Sequence, residues 1–338
     1  MAEAASLVEV WRGDFLESRH RGHAVVADAT GDIVASWGDA EGVVLPRSAM
    51  KMLQALPLVE SGAADAAGLG TEELALACAS HQGAAIHSSR VARWLAGLGL
   101  GERDLRCGPQ VPNDAAARAA LREAGDAPDQ THNNCSGKHA GFLTLGQRLG
   151  GGAEYVAPDH PVQVAARAAI EEMSGAPSPG FAIDGCSAPN FAVGLRRLAT
   201  AMARMAAPAM LRGARRAAAE RLVGAMMAHP ELVAGEGRAC TELMRAMAGR
   251  AAVKTGAEGV FCAILPGRGL GIALKIEDGA TRAAECVMAA LLVRAGVADP
   301  DDPAVIRRLR PRQLNRREID TGVMRPDADL WRPGAPAL

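Results

Sequence analysis

At 338 residues the chain is longer than one compact core accommodates, so two substructures are expected. Lys plus Arg number 37 against 38 for Asp plus Glu, which leaves no basic field to hold a polyanion or an anionic membrane, and aromatics at 3% are too scarce for base-stacking platforms. Nucleic acid and membrane are therefore excluded as partners, while 49% hydrophobic and 22% charged residues support a buried core.

In chain order, Met1 to Gly13 carry Glu3 and Glu9 and lack a basic start followed by an apolar stretch, so no secretory signal is read and a cytoplasmic protein is expected. His23 to Trp37 reads as a β-hairpin around Thr30-Gly31-Asp32. Ser48 opens SAMKMLQAL, whose Ala49, Leu53 and Leu56 recur at helical spacing until Pro57, placing Ser48 at a helix N-terminus. From Thr71 to about Met227 the helical period dominates, ending in an Ala/Arg/Met-rich stretch from Arg196. GVFCAILPG and GLGIALKIEDG then read as paired strands across Pro266-Gly267-Arg268-Gly269, with a helix from about Thr281 to Ala295. Strand signals at both ends and helices between predict an α/β (α+β) chain: a sheet domain from residues 1–62 and 230–338, an inserted all-α domain from 63–229, and an active site between them.

Seven cysteines at 78, 107, 135, 186, 240, 262 and 286 form no Cys-x-x-Cys pair, which suggests thiols rather than bridges. Cys78, Cys262 and Cys286 sit in apolar runs and read as packing residues.

Among the 37 basic residues only four are lysine, at 51, 138, 254 and 275. Arginine stays protonated in proteins whereas an ammonium can be tuned to a neutral base or ligand, so a lysine retained in such a chain is a chemical suspect. Three of the four fall in short motifs. Ser48-Ala49-Met50-Lys51 puts a hydroxyl and an amine one helical turn apart, where a neutral lysine can take the serine proton for acyl transfer. That pattern is expected by chance about 0.14 times in this composition; its bland reading is a helix cap beside a solvated lysine. Lys254-Thr255-Gly256 before GVFCAIL is the second element of active-serine acylases, and its bland reading is a turn lysine. The third motif is Asn133-Asn134-Cys135-Ser136-Gly137-Lys138-His139, where Asn134 or Ser136 can cap the following helix and Cys135 is a candidate ligand or nucleophile. Asp184-Gly185-Cys186-Ser187-Ala188-Pro189 could bring a second thiol to it. Two sulfurs plus a nitrogen, from Lys138 or more conventionally His139, suit zinc with an open position for water; the bland reading of Gly-Lys-His is a helix start.

PRSAMKMLQALPLVESGAAD, ACASHQ, NNCSGKHAGFL, DHPVQ, DGCSAPN, HPELVAGEGRACTELM and LGIALKIEDG together resemble the Rhizobium etli-type L-asparaginases (asparaginase II, thermolabile type), over nearly the whole chain. The resemblance implies a serine β-lactamase/glutaminase-like fold, an antiparallel sheet domain flanked by helices with an inserted helical domain. It further implies a homodimer that hydrolyses L-asparagine to L-aspartate and ammonia through two Ser-Lys tandems beside a zinc site. Carried over by motif, Ser48 is the nucleophile with Lys51 as its base, and Ser80 pairs with Lys254. Cys135, Lys138 and Cys186 hold zinc, Asp184 orients the ligand lysine or the substrate ammonium, and Cys240 borders the substrate pocket. Arg47 and His81, in the same motifs, complete the expected substrate contacts.

Three other readings compete. Ser-x-x-Lys and Lys-Thr-Gly also occur in penicillin-recognising acylases of the β-lactamase/peptidase kind. A non-catalytic zinc-stabilised binding module would use Ser48 only as a cap. A Cys135–His139 hydrolase is disfavoured because residues four apart on one helix rarely orient as a nucleophile-base dyad. Asparagine and glutamine differ by one methylene, which motifs do not resolve.

Overall fold

The computed structural model describes residues 3–332, 334 and 337–338. It is a mixed α/β chain that divides into two compact units. One runs through residues up to Ala49, Val193–Ala207 and Glu242–Leu338; the other comprises Met50–Ala192 and Pro208–Thr241.

The first unit is built on an antiparallel sheet. Its path runs Arg312–Leu314, Asp320–Pro326, Ala5–Arg12, Phe15–Asp28, Leu270–Ile276, Val260–Leu265, Ala252–Thr255. The long strand Phe15–Asp28 pairs first with Ala5–Arg12, and its second half lies between Ile33–Trp37 and Leu270–Ile276. The hairpin expected between His23 and Trp37 is present, and Asp28 Oδ1 holds its turn by accepting from the backbone N–H of Thr30, Gly31 and Asp32. The pair expected across Pro266–Gly269 is Val260–Leu265 against Leu270–Ile276, with Gly269 in the left-handed region at φ 63°. Val260–Leu265 is buried at every residue, so no polar alternation appears in VFCAIL. Helices Leu195–Ala206 and Thr281–Arg294 pack on these central strands.

The Leu195–Ala206 helix corrects the reading of Arg196 to Met227 as one helical stretch belonging with the other helices. It packs on the sheet, and the chain returns to the helical unit only with the helix Gly213–Ala228. Gly271 permits this: a Cβ there would lie 2.1 Å from Ala199 O and 2.2 Å from Ala203 N. The strand meets the helix backbone directly.

In the second unit Ser136–Leu149 is the central helix. Every residue from Ser136 to Gly146 is buried, ringed by helices that include Thr71–Ala77, Ala85–Gly97 and Pro161–Ser174. Gly150, at φ 66°, ends it in the left-handed cap expected of glycine. Ser48 does not head a helix as expected. It lies in a 3₁₀ turn, Arg47–Met50, that runs into a short helix Lys51–Gln54, and the next helix, Leu56–Glu60, takes Pro57 into its first turn. No helix among the described residues is long and apolar enough to cross a membrane.

Gly271→Ala is expected to destabilise the chain by about 3 kcal/mol, the upper range for overpacking, because the obstacle is backbone rather than a side chain that can swing away. A shift in the urea midpoint, with the slope unchanged, measures it.

Candidate active site

Each unit gathers part of the predicted set. In the sheet unit, Lys254 lies on the strand Ala252–Thr255 and is fully buried, with Nζ donating to Thr255 O at 2.6 Å. The strand end packs on the turn that carries Arg47 and Ser48: a Cβ on Gly256 would lie 2.5 Å from Pro46 O and 3.3 Å from Ala49 Cβ. The glycine of Lys-Thr-Gly therefore holds that motif against the Ser48 turn. Arg47, immediately before Ser48, has φ 52°, a left-handed conformation that costs about 1 kcal/mol or more outside glycine and concentrates at functional sites.

In the helical unit, Lys51, Ser80, Cys135, Lys138 and Cys186 come together. Lys51 is 1% exposed. Its Nζ donates to Ala79 O and lies 3.1 Å from both Ser80 Oγ and Cys135 Sγ. The contact between Ser80 and Lys51 was not part of the expected pairing. Gly137 makes the arrangement possible, since a Cβ there would lie 2.3 Å from Leu76 O; the central helix touches the end of Thr71–Ala77, and the loop carrying Ala79 and Ser80 follows at once. Ser80 N–H is held by Val233 O at 2.8 Å.

Cys135 sits just before the central helix. Its N–H donates to Asn133 Oδ1 at 2.9 Å, and its Sγ lies 2.9 Å from Asn134 Oδ1. Cys186 arrives on the turn of a hairpin formed by Phe181–Ile183 and Pro189–Phe191, closed by Ser187 N–H to Asp184 O at 2.9 Å. Ser187 adopts φ 69° in this turn. Lys138 Nζ donates to Cys186 Sγ at 3.1 Å. A hydrogen bond from Cys135, then the Lys138 charge, push the Cys186 thiol far down, so it is the thiolate of the cluster. The same bond and burial push Cys135 up, so it stays a thiol. Burial pulls Lys138 down, yet the Cys186 thiolate outweighs it and the ammonium is favoured.

The donors available for a metal are thus two sulfurs and an amine. Bond lengths near 2.3 Å to sulfur and 2.0 Å to nitrogen make a tetrahedral S–N edge of about 3.5 Å, close to the 3.1 Å between Lys138 and Cys186. The donor chemistry fits a thiophilic ion. Among the described residues no group of three or more His, Cys, Asp or Glu is placed to hold one, so an amine donor is required.

Other expected residues take supporting places. Asp184 Oδ1 accepts from Gly185 N–H at 2.7 Å, and its charge favours the Lys138 ammonium. Cys240 is 1% exposed on the helix Ala239–Met247. His81, expected to contact substrate, is instead fully buried: Nδ1 accepts from Gly83 N–H at 3.1 Å and Nε2 donates to Ser136 Oγ at 3.0 Å. Ser136 Oγ in turn donates to Thr131 O at 2.9 Å. Both ring nitrogens are engaged, and His81 holds the start of the central helix. Sequence reasoning missed Tyr155, whose hydroxyl accepts from Arg106 N–H at 2.7 Å and shares a 2.8 Å hydrogen bond with His139 Nδ1. It also missed Asn134 as the partner of the Cys135 thiol.

The sequence profile of the L-asparaginase II family matches residues 8–326. The chain belongs to that family. A search of curated proteins returned no match. Among solved structures, this L-asparaginase II family member is similar to a β-lactamase from Mycobacterium bovis at 13% identity and TM-score 0.42, covering 78% of this chain and 89% of that one. A putative β-lactamase from Bacteroides dorei is similar at 11% identity and TM-score 0.43, covering 75% and 84%. Mglu in its native form is similar at 17% and 0.41, with 84% of this chain but only 65% of Mglu covered.

The buried imidazoles make a pH prediction. Burial holds His139 at about 4 and lowers His81 well below its ordinary value. Both fold as neutral rings that take up a proton on unfolding, so stability is complete above the unfolded value near 6.5 and declines as pH falls through the window toward 4. His139 alone is expected to cost about 2 kcal/mol at pH 5 relative to pH 7. Urea unfolding at the two pH values reads the loss, and an unchanged midpoint contradicts it.

Proposed function

We propose that this chain is an L-asparaginase of the Rhizobium etli type, hydrolysing the side-chain amide of L-asparagine to L-aspartate and ammonia through a seryl acyl-enzyme. Membership of the L-asparaginase II family carries the reading, and the buried lysines supply its chemistry. Ser48 Oγ attacks the amide carbon, Lys51, three residues on, takes its proton, ammonia leaves with a proton, and water hydrolyses the β-aspartyl ester. Lys254 supplies positive charge and Ser80 a proton relay. A Lys51 held on Ser80 at 3.1 Å favours one second reading, in which Ser80 is the hydroxyl that Lys51 activates.

Ammonia release from asparagine, glutamine and a penicillin, measured side by side, tests the assignment. Asparagine turnover is expected to fall by about a thousandfold or more in Ser48→Ala and in Lys51→Met. Near-normal turnover in Ser48→Ala with loss in Ser80→Ala transfers the nucleophile to Ser80, and penicillin hydrolysis without amide turnover overturns the asparaginase reading. Intact-mass detection of the acyl adduct in each variant locates the ester independently.

Zinc is proposed at Cys135, Lys138 and Cys186, with water completing the set. When bound it supplies a Lewis acid that polarises or orients a substrate oxygen. The chain's own contribution is the thiolate of Cys186, the thiol of Cys135 and an amine that must surrender its proton. About one zinc per chain is expected in elemental analysis of the purified protein, and none in Cys186→Ser. Absence of zinc from the wild type, also after titration with zinc, leaves the cluster an ion pair. A cytoplasmic homodimer completes the proposal; seven free cysteines among the described residues suit a reducing compartment.

A further inference from the structure

Lys51, Lys138 and Lys254 carry roles in the proposed hydrolysis or metal site; Lys275, in LGIALKIEDG, carries none. It lies on the strand Leu270–Ile276, half-buried, with Nζ donating to Glu258 O at 2.8 Å and to Ile276 O. An ammonium has three protons, so one remains for a ligand. Burial depresses the Lys275 amine, so the cation is under-solvated and gains from an added anion.

Lys275 faces a cavity of about 850 Å³ whose lining belongs wholly to the sheet unit. Val43, Val44, Leu45 and Leu195 supply apolar wall, and Val43 and Leu45 are 63% and 41% exposed. The size is that of small-molecule sites, and eight of the fourteen lining residues are ionisable. Charges of both signs line it. Arg21 is paired with Glu3 at 2.7 Å, Arg47 and Asp39 also line the wall, and Lys275 stands against the carboxylates of Glu258 and Glu277. The Glu277 carboxylate lies 3.7 Å from His23 Nε2.

Backbone geometry singles out the same wall. Five described residues other than glycine have positive φ, and two of them, Arg47 at 52° and Glu258 at 57°, carry opposite charges onto this cavity. Such conformations persist where the surroundings over-determine them and cluster at ligand sites.

We propose that this cavity binds a zwitterionic α-amino acid, free or at the ends of a short peptide, with an apolar side chain. The ligand carboxylate takes the third Lys275 proton, its ammonium meets Glu277 and Glu258, and its side chain covers Val43 and Leu45. Lys275 and Glu277 are two residues apart, about 7 Å along an extended chain, a spacing that an ammonium and a carboxylate on one carbon can bridge. A polyanion or polycation finds like charge on the same wall.

Isothermal titration calorimetry on the full chain tests this with L-leucine, L-leucyl-L-leucine and uncharged N-acetyl-leucinamide. Leucine has no side-chain amide to hydrolyse, and Lys275 and Glu277 have no role in the proposed hydrolysis, so their variants separate this site from the hydrolytic one. One zwitterion per chain is expected to bind, the free amino acid or the dipeptide showing which form is preferred, and the uncharged amide is expected not to. Lys275→Met and, separately, Glu277→Gln are each expected to weaken binding about tenfold or more. Glu277 is 56% exposed, so its variant stays readable if Lys275→Met fails to fold. No saturable binding by either zwitterion, equal binding of the uncharged amide, or unchanged affinity in Glu277→Gln overturns the proposal.

Discussion

Two lysine side chains enclosed with two sulfurs set the terms for the helical unit. Lys51 and Lys138 are 1% and 4% exposed, and a charge taken out of water costs several kcal/mol, by order of magnitude, unless partners replace its hydration. Lys51 finds Ala79 O, Ser80 Oγ and Cys135 Sγ; Lys138 finds the Cys186 thiolate. Local features otherwise hard to explain follow from keeping these partners in place. Gly137 lets two helices touch at backbone distance, Ser187 holds a left-handed turn that presents Cys186, and Asn133 and Asn134 fix Cys135 from both sides.

The sheet unit obeys a related constraint with different means. Its central strands are buried except at Lys275, so contacts between elements are made by omitting side chains where backbones meet. Gly271 admits a helix and Gly256 admits the Ser48 turn. The second of these turns a packing device into a functional one, because it fixes Lys254-Thr255-Gly256 beside the expected nucleophile while Arg47 absorbs the strained dihedral.

Much of the site was legible because its residues are chemically conspicuous in this composition. Four lysines among 37 basic residues drew attention to the three motifs, and Cys135, Lys138 and Cys186 do converge although Cys186 lies 48 residues beyond Lys138. What stayed hidden was partnership. Ser80 as a contact of Lys51 depends on how two loops meet, and Tyr155 behind His139 depends on a crossing of segments that leaves no local pattern. His81 was expected to contact substrate on the resemblance of its motif, and its two nitrogens are used to anchor the central helix.

The amino-acid order alone determined the alternation of strand and helix, the sheet contributed by both chain ends, and the residue types able to carry acyl transfer or bind a thiophilic ion. These are properties of periodicity and of single side chains, which short stretches of chain carry by themselves. Tertiary structure decided that Leu195–Ala206 serves the sheet, that Ser48 sits in a 3₁₀ turn, and which of two neighbouring thiols is the thiolate. Those outcomes turn on distances between segments far apart in sequence, where a carbonyl 2.3 Å from a missing methyl group or an ammonium 3.1 Å from a sulfur outweighs local preference.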